Sequence, residues 1–314
     1  MISDYVKCSR RIGVEIEYNS TDNQSRSRGE NDLPVGIYDI AKEIQNVLSE
    51  SVEVHKWHYT NNNNRWVLKP DSSCGLEICS SPMRGKYGVD RIASVIEHLY
   101  DNTEFNSDSR CSFHVHVEIE DFSDAEIFNL IRNWVACEVF FFALCNPSRR
   151  INQYCIPIGL CKNFDTEKSY DFETLLGKLS EYKYYSINLY HFARNRKKTI
   201  EFRIMGNDAC NNHEDARNWM KVLLCLVERS KKEYIKDYVK LSYEDFGFAL
   251  KLLDLNNYFD DNEIKLWLIS KLNSCLDPSQ FNDYPQAYFF WQSVFENSNK
   301  DINLCMETLE SWIK

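Results

Sequence analysis

Four short segments of the chain alternate apolar and ionisable side chains with the period of a strand that packs one face and opens the other. In Arg11–Tyr18, Val14 and Ile16 fall on one side, and Glu15 and Glu17 on the other. In Gly75–Cys79, Glu77 stands against Leu76 and Ile78. Ser112–Ile119 alternates most cleanly, with Phe113, Val115 and Val117 behind and His114, His116 and Glu118 in front. Thr199–Ile204 sets Glu201 and Arg203 against Ile200, Phe202 and Ile204.

The spacing between these strands predicts further elements. Val52–Tyr59, Trp66–Lys69 and Tyr184–Phe192 read as strands, and Lys198–Met205 extends the last alternating one, with Asn195–Lys197 as the turn before it. Helical spacing runs through Tyr38–Glu50, Val89–Tyr100 and Phe172–Glu181. Ser123 and Glu126 form a capping box ahead of a long apolar helix that reaches about Cys145, where Asn146-Pro147-Ser148 ends it. Residues 19–35, rich in Ser, Asn, Asp and Arg, read as a mobile loop and, on composition, as a lid. After residue 214 the pattern is helical throughout: Asp215–Asp237, Tyr243–Leu253, Asn262–Leu272, Gln286–Glu296 and Ile302–Ile313. The expected organisation is an α+β body over 1–214 and a helical region over 215–314 packed on it.

Composition narrows the classes. The chain has 314 residues, 43% hydrophobic and 14% aromatic, enough for a sizeable core and too aromatic for disorder. Its net charge of −10 argues against general nucleic-acid binding. The longest apolar run, Val135–Leu144, is broken by Glu138 and is too short to span a bilayer. The N-terminus is polar, with no signal-peptide core. The twelve cysteines are scattered, with no Cys-x-x-Cys pair. They read as reduced, buried thiols of a cytoplasmic protein rather than as a zinc ribbon.

Taken singly, each ionisable face has a plain reading. Glu15 and Glu17 are a solvated strand face, His114 and His116 a polar face or a zinc pair, and Glu201 with Arg203 a surface ion pair. Together they change the picture. If the four strands share one sheet, at least four carboxylates, two imidazoles and a guanidinium meet on one face. Carboxylates that close raise each other's pKa, and divalent cations relieve the repulsion. Oxygen donors with an occasional imidazole suit Mg²⁺ or Mn²⁺, and a metal-bound face beside a guanidinium suits a phosphate.

The same residues carry a specific resemblance. Gly13-Val14-Glu15-Ile16-Glu17, Trp66-x-x-Lys69-x-Asp71-x-Ser73, Glu77 with Ser81-Pro82, His114-Val115-His116, Asn188 and Thr199-Ile200-Glu201-Phe202-Arg203 occur in the order found in the amidoligase family. The resemblance covers about residues 10–230. That family is related to glutamine synthetase and glutamate–cysteine ligase. It implies an α+β fold with a curved, largely antiparallel, glutamine-synthetase-like sheet and helices on its convex side.

The resemblance also implies roles. Glu15, Glu17, Glu77, His114 and Glu201 become ligands of two Mg²⁺ ions. His116, Lys69 and Arg203 become nucleotide contacts, with Arg203 on the transferring phosphoryl group and Glu15, Glu201 and Arg203 as the catalytic set. Asp71, Ser73, Arg149, Asn152, Tyr154 and Asn188 become substrate contacts. Arg149 and Arg150 both stand close enough to Asn152 and Tyr154 for either to face the site, and spacing favours Arg149. Cys155 reads as a structural thiol. The implied activity is ATP-dependent joining of a carboxylate to an amine, of small-molecule or peptide origin, through an acyl phosphate. Two other classes remain: a hydrolase with one zinc held by His114, His116 and Glu201, and an inactive nucleotide- or peptide-binding module using the aromatic C-terminal region.

Overall fold

The computed structural model describes residues 8–19, 33–34, 36–56, 65–103, 106–159, 161, 164, 168–194, 198–232, 239–240, 244, 246–258, 262–277, 279, 282–283 and 298–313. The expected loop and lid over 19–35, the turn Asn195–Lys197 and the helix Gln286–Glu296 lie almost wholly outside these residues.

In chain order the elements begin β1 (Arg11–Asn19), α1 (Ile37–Leu48), β2 (Val52–Val54), β3 (Trp66–Asp71), β4 (Gly75–Cys79) and β5 (Met83–Arg84). They continue with α2 (Gly85–Asn102), β6 (Phe113–Glu118), α3 (Asp124–Ala143), a 3-10 turn at Pro147–Ile151, β7 (Ser169–Tyr170) and α4 (Phe172–Glu181). Then come β8 (Ile187–Asn188), α5 (Tyr190–Ala193), β9 (Thr199–Phe202), α6 (Asn207–Asn211), α7 (His213–Lys232) and β10 (Val239–Lys240). Helices α8 (Phe246–Leu253), α9 (Leu255–Tyr258), α10 (Asn262–Leu276) and Ser298–Ile313 complete the chain. The fold is mixed α+β, with a mostly antiparallel open sheet and many helices. No helix among the described residues is long and apolar enough to cross a membrane.

The chain divides into two compact units. One comprises Ser9–His116 and Met205–Met220, the other Met1–Cys8, Val117–Ile204 and Lys221–Lys314.

In the first unit the strands run in the order β2-β3-β4-β1, followed by the start of β6. β1 pairs antiparallel with β4 and β5, and β3 with β4, while β2 and β3 are parallel. The predicted alternation is present in three dimensions. Ile16, Ile78 and Leu68 form one rung across β1, β4 and β3, and all three are fully buried. Val14 and Val115 are buried with them, as are Ile92, Val95 and Ile96 of α2. The β3–β4 turn is built by Asp71, whose Oδ1 accepts from the N–H of Ser73 at 2.7 Å and of Cys74 at 3.3 Å. Gly75 closes that turn at φ 120°, where a Cβ would be strained.

In the second unit the end of β6 neighbours β9, and β9 pairs antiparallel with β8. Helix α3 is buried along nearly its whole length. Its Trp134 stacks on Phe141 at 4.8 Å and meets Phe202 of β9 at 5.0 Å. The capping box is formed as expected: the Glu126 N–H donates to Ser123 Oγ, and the Ser123 N–H donates to the Glu126 carboxylate at 2.7 Å.

Several expected strands are shorter: Val52–Tyr59 contributes Val52–Val54, and Lys198–Met205 contributes Thr199–Phe202. Tyr184–Phe192 contributes only Ile187–Asn188 as strand, then turns into α5. The cause is local: Asn188 Oδ1 accepts the Tyr190 N–H at 2.9 Å, and this Asx turn takes the backbone out of the ladder. No disulfide joins the twelve cysteines, and most are buried.

Ser123→Ala removes the acceptor at the start of α3 and is expected to lower stability by about 1 kcal/mol. Urea unfolding followed by circular dichroism checks this; an unchanged midpoint would show that α3 does not depend on its cap.

Candidate active site

In the first unit, strand register gathers the predicted face. Glu17 of β1 lies opposite Glu77 of β4, which lies opposite Lys69 of β3. The adjacent rung sets Glu15 opposite Cys79. From β6, His114 Nδ1 approaches Glu15 Oε2 at 3.3 Å and Glu17 Oε1 at 4.0 Å, and His116 Nε2 lies 3.2 Å from Glu15 Oε1. Glu15 thus stands between two imidazoles. Glu17 is further held by the Ser112 N–H, which donates to its Oε2 at 2.7 Å. Glu17, Glu77 and His114 are all buried.

The electrostatics follow from this packing. Burial alone would raise the Glu15 pKa, but His116 and His114 outweigh it and hold the carboxyl well below its usual range. Glu77 goes the other way: burial and the Glu15 charge raise it, against Lys69. The Lys69 ammonium sits 2.7 Å from Glu77 Oε1. Burial disfavours its charge, yet Glu77, Cys79 and Glu15 together push its pKa up, so it stays cationic. Cys79 Sγ donates to Glu77 Oε1 at 2.9 Å, and burial and the two carboxylates keep the thiol protonated.

The face therefore carries three carboxylates against one ammonium and two imidazoles. One ligand atom each from Glu15, Glu77 and Cys79 lie within 4.8 Å of one another, a set that could hold a divalent cation. Cys79 is the member that sequence reading missed. It stands two residues after Glu77, so the alternation that singled out Glu77 already put it on the same face. Asp71 and Ser73 lie in the β3–β4 turn, bonded to each other.

In the second unit Glu201 and Arg203 form an ion pair, Arg203 Nη1 donating to Glu201 Oε1. Glu201 Oε2 accepts from Asn188 Nδ2 at 2.7 Å. Arg203 Nε donates to the Tyr154 carbonyl at 3.2 Å, and its guanidinium lies 5.7 Å from the Tyr184 ring centroid. Asn152 Oδ1 accepts the Tyr154 N–H at 2.8 Å and shapes that segment.

The two candidate arginines separate. Arg149 is buried and donates through Nη2 to the Arg203 carbonyl at 2.9 Å and through Nε to the Ile204 carbonyl at 3.1 Å. Arg150 donates instead to the carbonyls of Phe142, Ala143 and Cys145 at the end of α3. Cys155 is fully buried, and burial raises its pKa despite Arg149 and Arg203, which suits a packed thiol rather than a nucleophile.

No curated protein sequence matches the chain. Among solved structures it is similar to a bifunctional glutathione synthetase from Pasteurella multocida, at 11% identity over 98% of this chain and 52% of that one, with a TM-score of 0.47. It is also similar to a novel glutamine synthase homolog, at 12% identity over 98% of this chain and 72% of that one, with a TM-score of 0.40. The chain thus spans about half the length of the glutathione synthetase. A family profile described as "putative amidoligase enzyme" matches residues 8–227, which include every motif on both charged faces. The chain belongs to the amidoligase family.

Proposed function

We propose that this chain is a cytoplasmic, ATP-dependent ligase that joins a carboxylate to an amine through an acyl phosphate at a two-Mg²⁺ site. The observation that carries this reading is the placement of Glu15 between His114 and His116, with Glu17 and Glu77 paired on the next rung of the same face. A surface that merely faced water would have no reason to bury Glu17 and Glu77 side by side next to a half-buried Glu15. Family membership supports the choice of chemistry.

In this reading the substrate carboxylate oxygen attacks the γ-phosphorus of ATP, the bond to the β-phosphate oxygen breaks, and ADP leaves. The amine nitrogen then attacks the acyl carbon, phosphate leaves, and the amine gives up a proton. Glu15, Glu17, Glu77, His114 and Glu201 would hold Mg²⁺ or Mn²⁺. The metal supplies neutralisation of phosphate charge when bound. The donor set suits it: carboxylate oxygens predominate, with one imidazole.

The remaining roles belong to the chain itself. His116 and Lys69 contact the nucleotide, and Lys69 also draws the Glu77 pKa down against burial and the Glu15 charge. Arg203 presents a planar guanidinium to the transferring phosphoryl group, its orientation set by Glu201, the Tyr154 carbonyl and the Tyr184 ring. Asp71, Ser73, Asn152, Tyr154 and Asn188 are substrate contacts. Arg149 joins them through what its two backbone bonds leave available.

Purified protein is expected to convert ATP to ADP only with Mg²⁺ or Mn²⁺ and a carboxylate acceptor present. Glu15→Ala is expected to abolish that turnover while leaving circular dichroism unchanged; wild-type-like ADP release from it would remove the metal assignment. For Arg203→Lys, kcat should fall at least about tenfold with the KM for ATP nearly kept, because an ammonium lacks the fork. Cys79→Ser should retain Mg²⁺-supported turnover within about twofold and weaken zinc binding measured by calorimetry, since a hydroxyl is a poor ligand for the softer metal. Tight zinc with ATP-independent hydrolysis would instead assign the protein to the hydrolases.

A further inference from the structure

Glu138 lies in the middle of α3 within Val135-Ala136-Cys137-Glu138-Val139-Phe140-Phe141, and its exposure is 0%. A carboxylate there adds nothing to the packing of an apolar helix that Val or Leu would not add, and it must be compensated to be buried at all. Donors from other segments supply that compensation, although burial still holds the pKa above the usual carboxylate value. Its Oε1 accepts the Ile158 N–H at 2.8 Å and the Ser186 hydroxyl, and its Oε2 accepts the Gly159 N–H at 3.0 Å. The Ser186 hydroxyl in turn accepts from Trp134 Nε1 at 2.8 Å, which leaves its own proton for Glu138. An ionised carboxylate, an acceptor only, is the form that fits this ring of donors.

Both segments that Glu138 ties also bond Arg203. The Ser186 carbonyl accepts the Arg203 N–H at 2.9 Å, and the Ser186 N–H donates to the Ile156 carbonyl at 2.8 Å. The segment ending at Ile158 and Gly159 carries Tyr154, whose carbonyl accepts from Arg203 Nε at 3.2 Å. We propose that Glu138 is the positioning residue for Arg203: its carboxylate pins Ser186 and the 154–159 segment, and these fix the backbone and the guanidinium of Arg203 from two sides. Its function is thus one step removed from the reacting atoms, and it rests on the ligase reading for its catalytic consequence.

The test compares Ser186→Ala and Glu138→Gln with Ser230→Ala. Ser230 is an equally buried serine of the same unit, bonded to Leu226 and Asn133 and unconnected to Arg203. Hydrogen exchange read by mass spectrometry on residues 199–206 reports Arg203 directly, with no need for activity. Exchange there is expected to rise about tenfold in Ser186→Ala and in any folded Glu138→Gln, and to stay at the wild-type rate in Ser230→Ala. The kcat for ADP release should fall between about tenfold and a hundredfold in Ser186→Ala with the KM for ATP within about twofold, the pattern of a misplaced catalytic group.

Unchanged exchange at 199–206, or an equal rise in Ser230→Ala, overturns the proposal. Faster exchange with undiminished kcat also overturns it. If the wild-type protein makes no ADP under any acceptor, the ligase reading fails, while the exchange comparison still decides whether Glu138 positions Arg203.

Discussion

Like charges held on adjacent strands must be compensated within a few ångströms, and the first unit is arranged around that requirement. Glu15, Glu17 and Glu77 occupy neighbouring rungs of one face, and each has its own partner: imidazoles at Glu15, a backbone amide at Glu17, an ammonium at Glu77. Three carboxylates share the face, so a divalent cation there would relieve their mutual repulsion while each carboxylate is individually supported. The apolar rung of Ile16, Ile78 and Leu68 behind it makes this possible. A face whose back is fully buried cannot slip register by one residue without turning every carboxylate into the core.

The second unit solves a different problem, that of holding one flexible cation still. Arginine carries much rotamer freedom, and a surface pair with Glu201 would hold it weakly. Arg203 is instead fixed through its backbone N–H, its carbonyl, its Nε and its Nη1 by Ser186, Arg149, Tyr154 and Glu201. Three of these anchors are not on its own strand. Two of them lead back to Glu138, buried in the apolar helix that also packs Trp134 against Phe202. The same helix therefore supplies both the hydrophobic support of β9 and the polar support of the residue that follows it.

The charge that interrupts α3 illustrates how a polar residue in a core can be read. Its position excludes a membrane span and breaks an otherwise continuous apolar run, and in the sequence it is only an interruption. Its partners, at 158, 159 and 186, are 20 to 48 residues away along the chain. A buried charge that collects donors from several segments ties those segments together, whatever its own net contribution to stability.

What the sequence determined by itself was whatever depends on neighbours along the chain. The two-residue period placed Glu15 with Glu17, His114 with His116 and Glu201 with Arg203 on single faces, and Ser123 with Glu126 marked the start of α3. The order of those motifs indicated the family. Strand length was less legible: Asn188 ends its strand through a side-chain bond that competes with the ladder, which no period reveals. Pairings across strands were beyond reach, because register is set by contacts distant in sequence. Only the tertiary structure put Lys69 on Glu77 and Cys79 beside Glu15, and it showed that Arg149, which spacing favoured, bonds the Arg203 carbonyl.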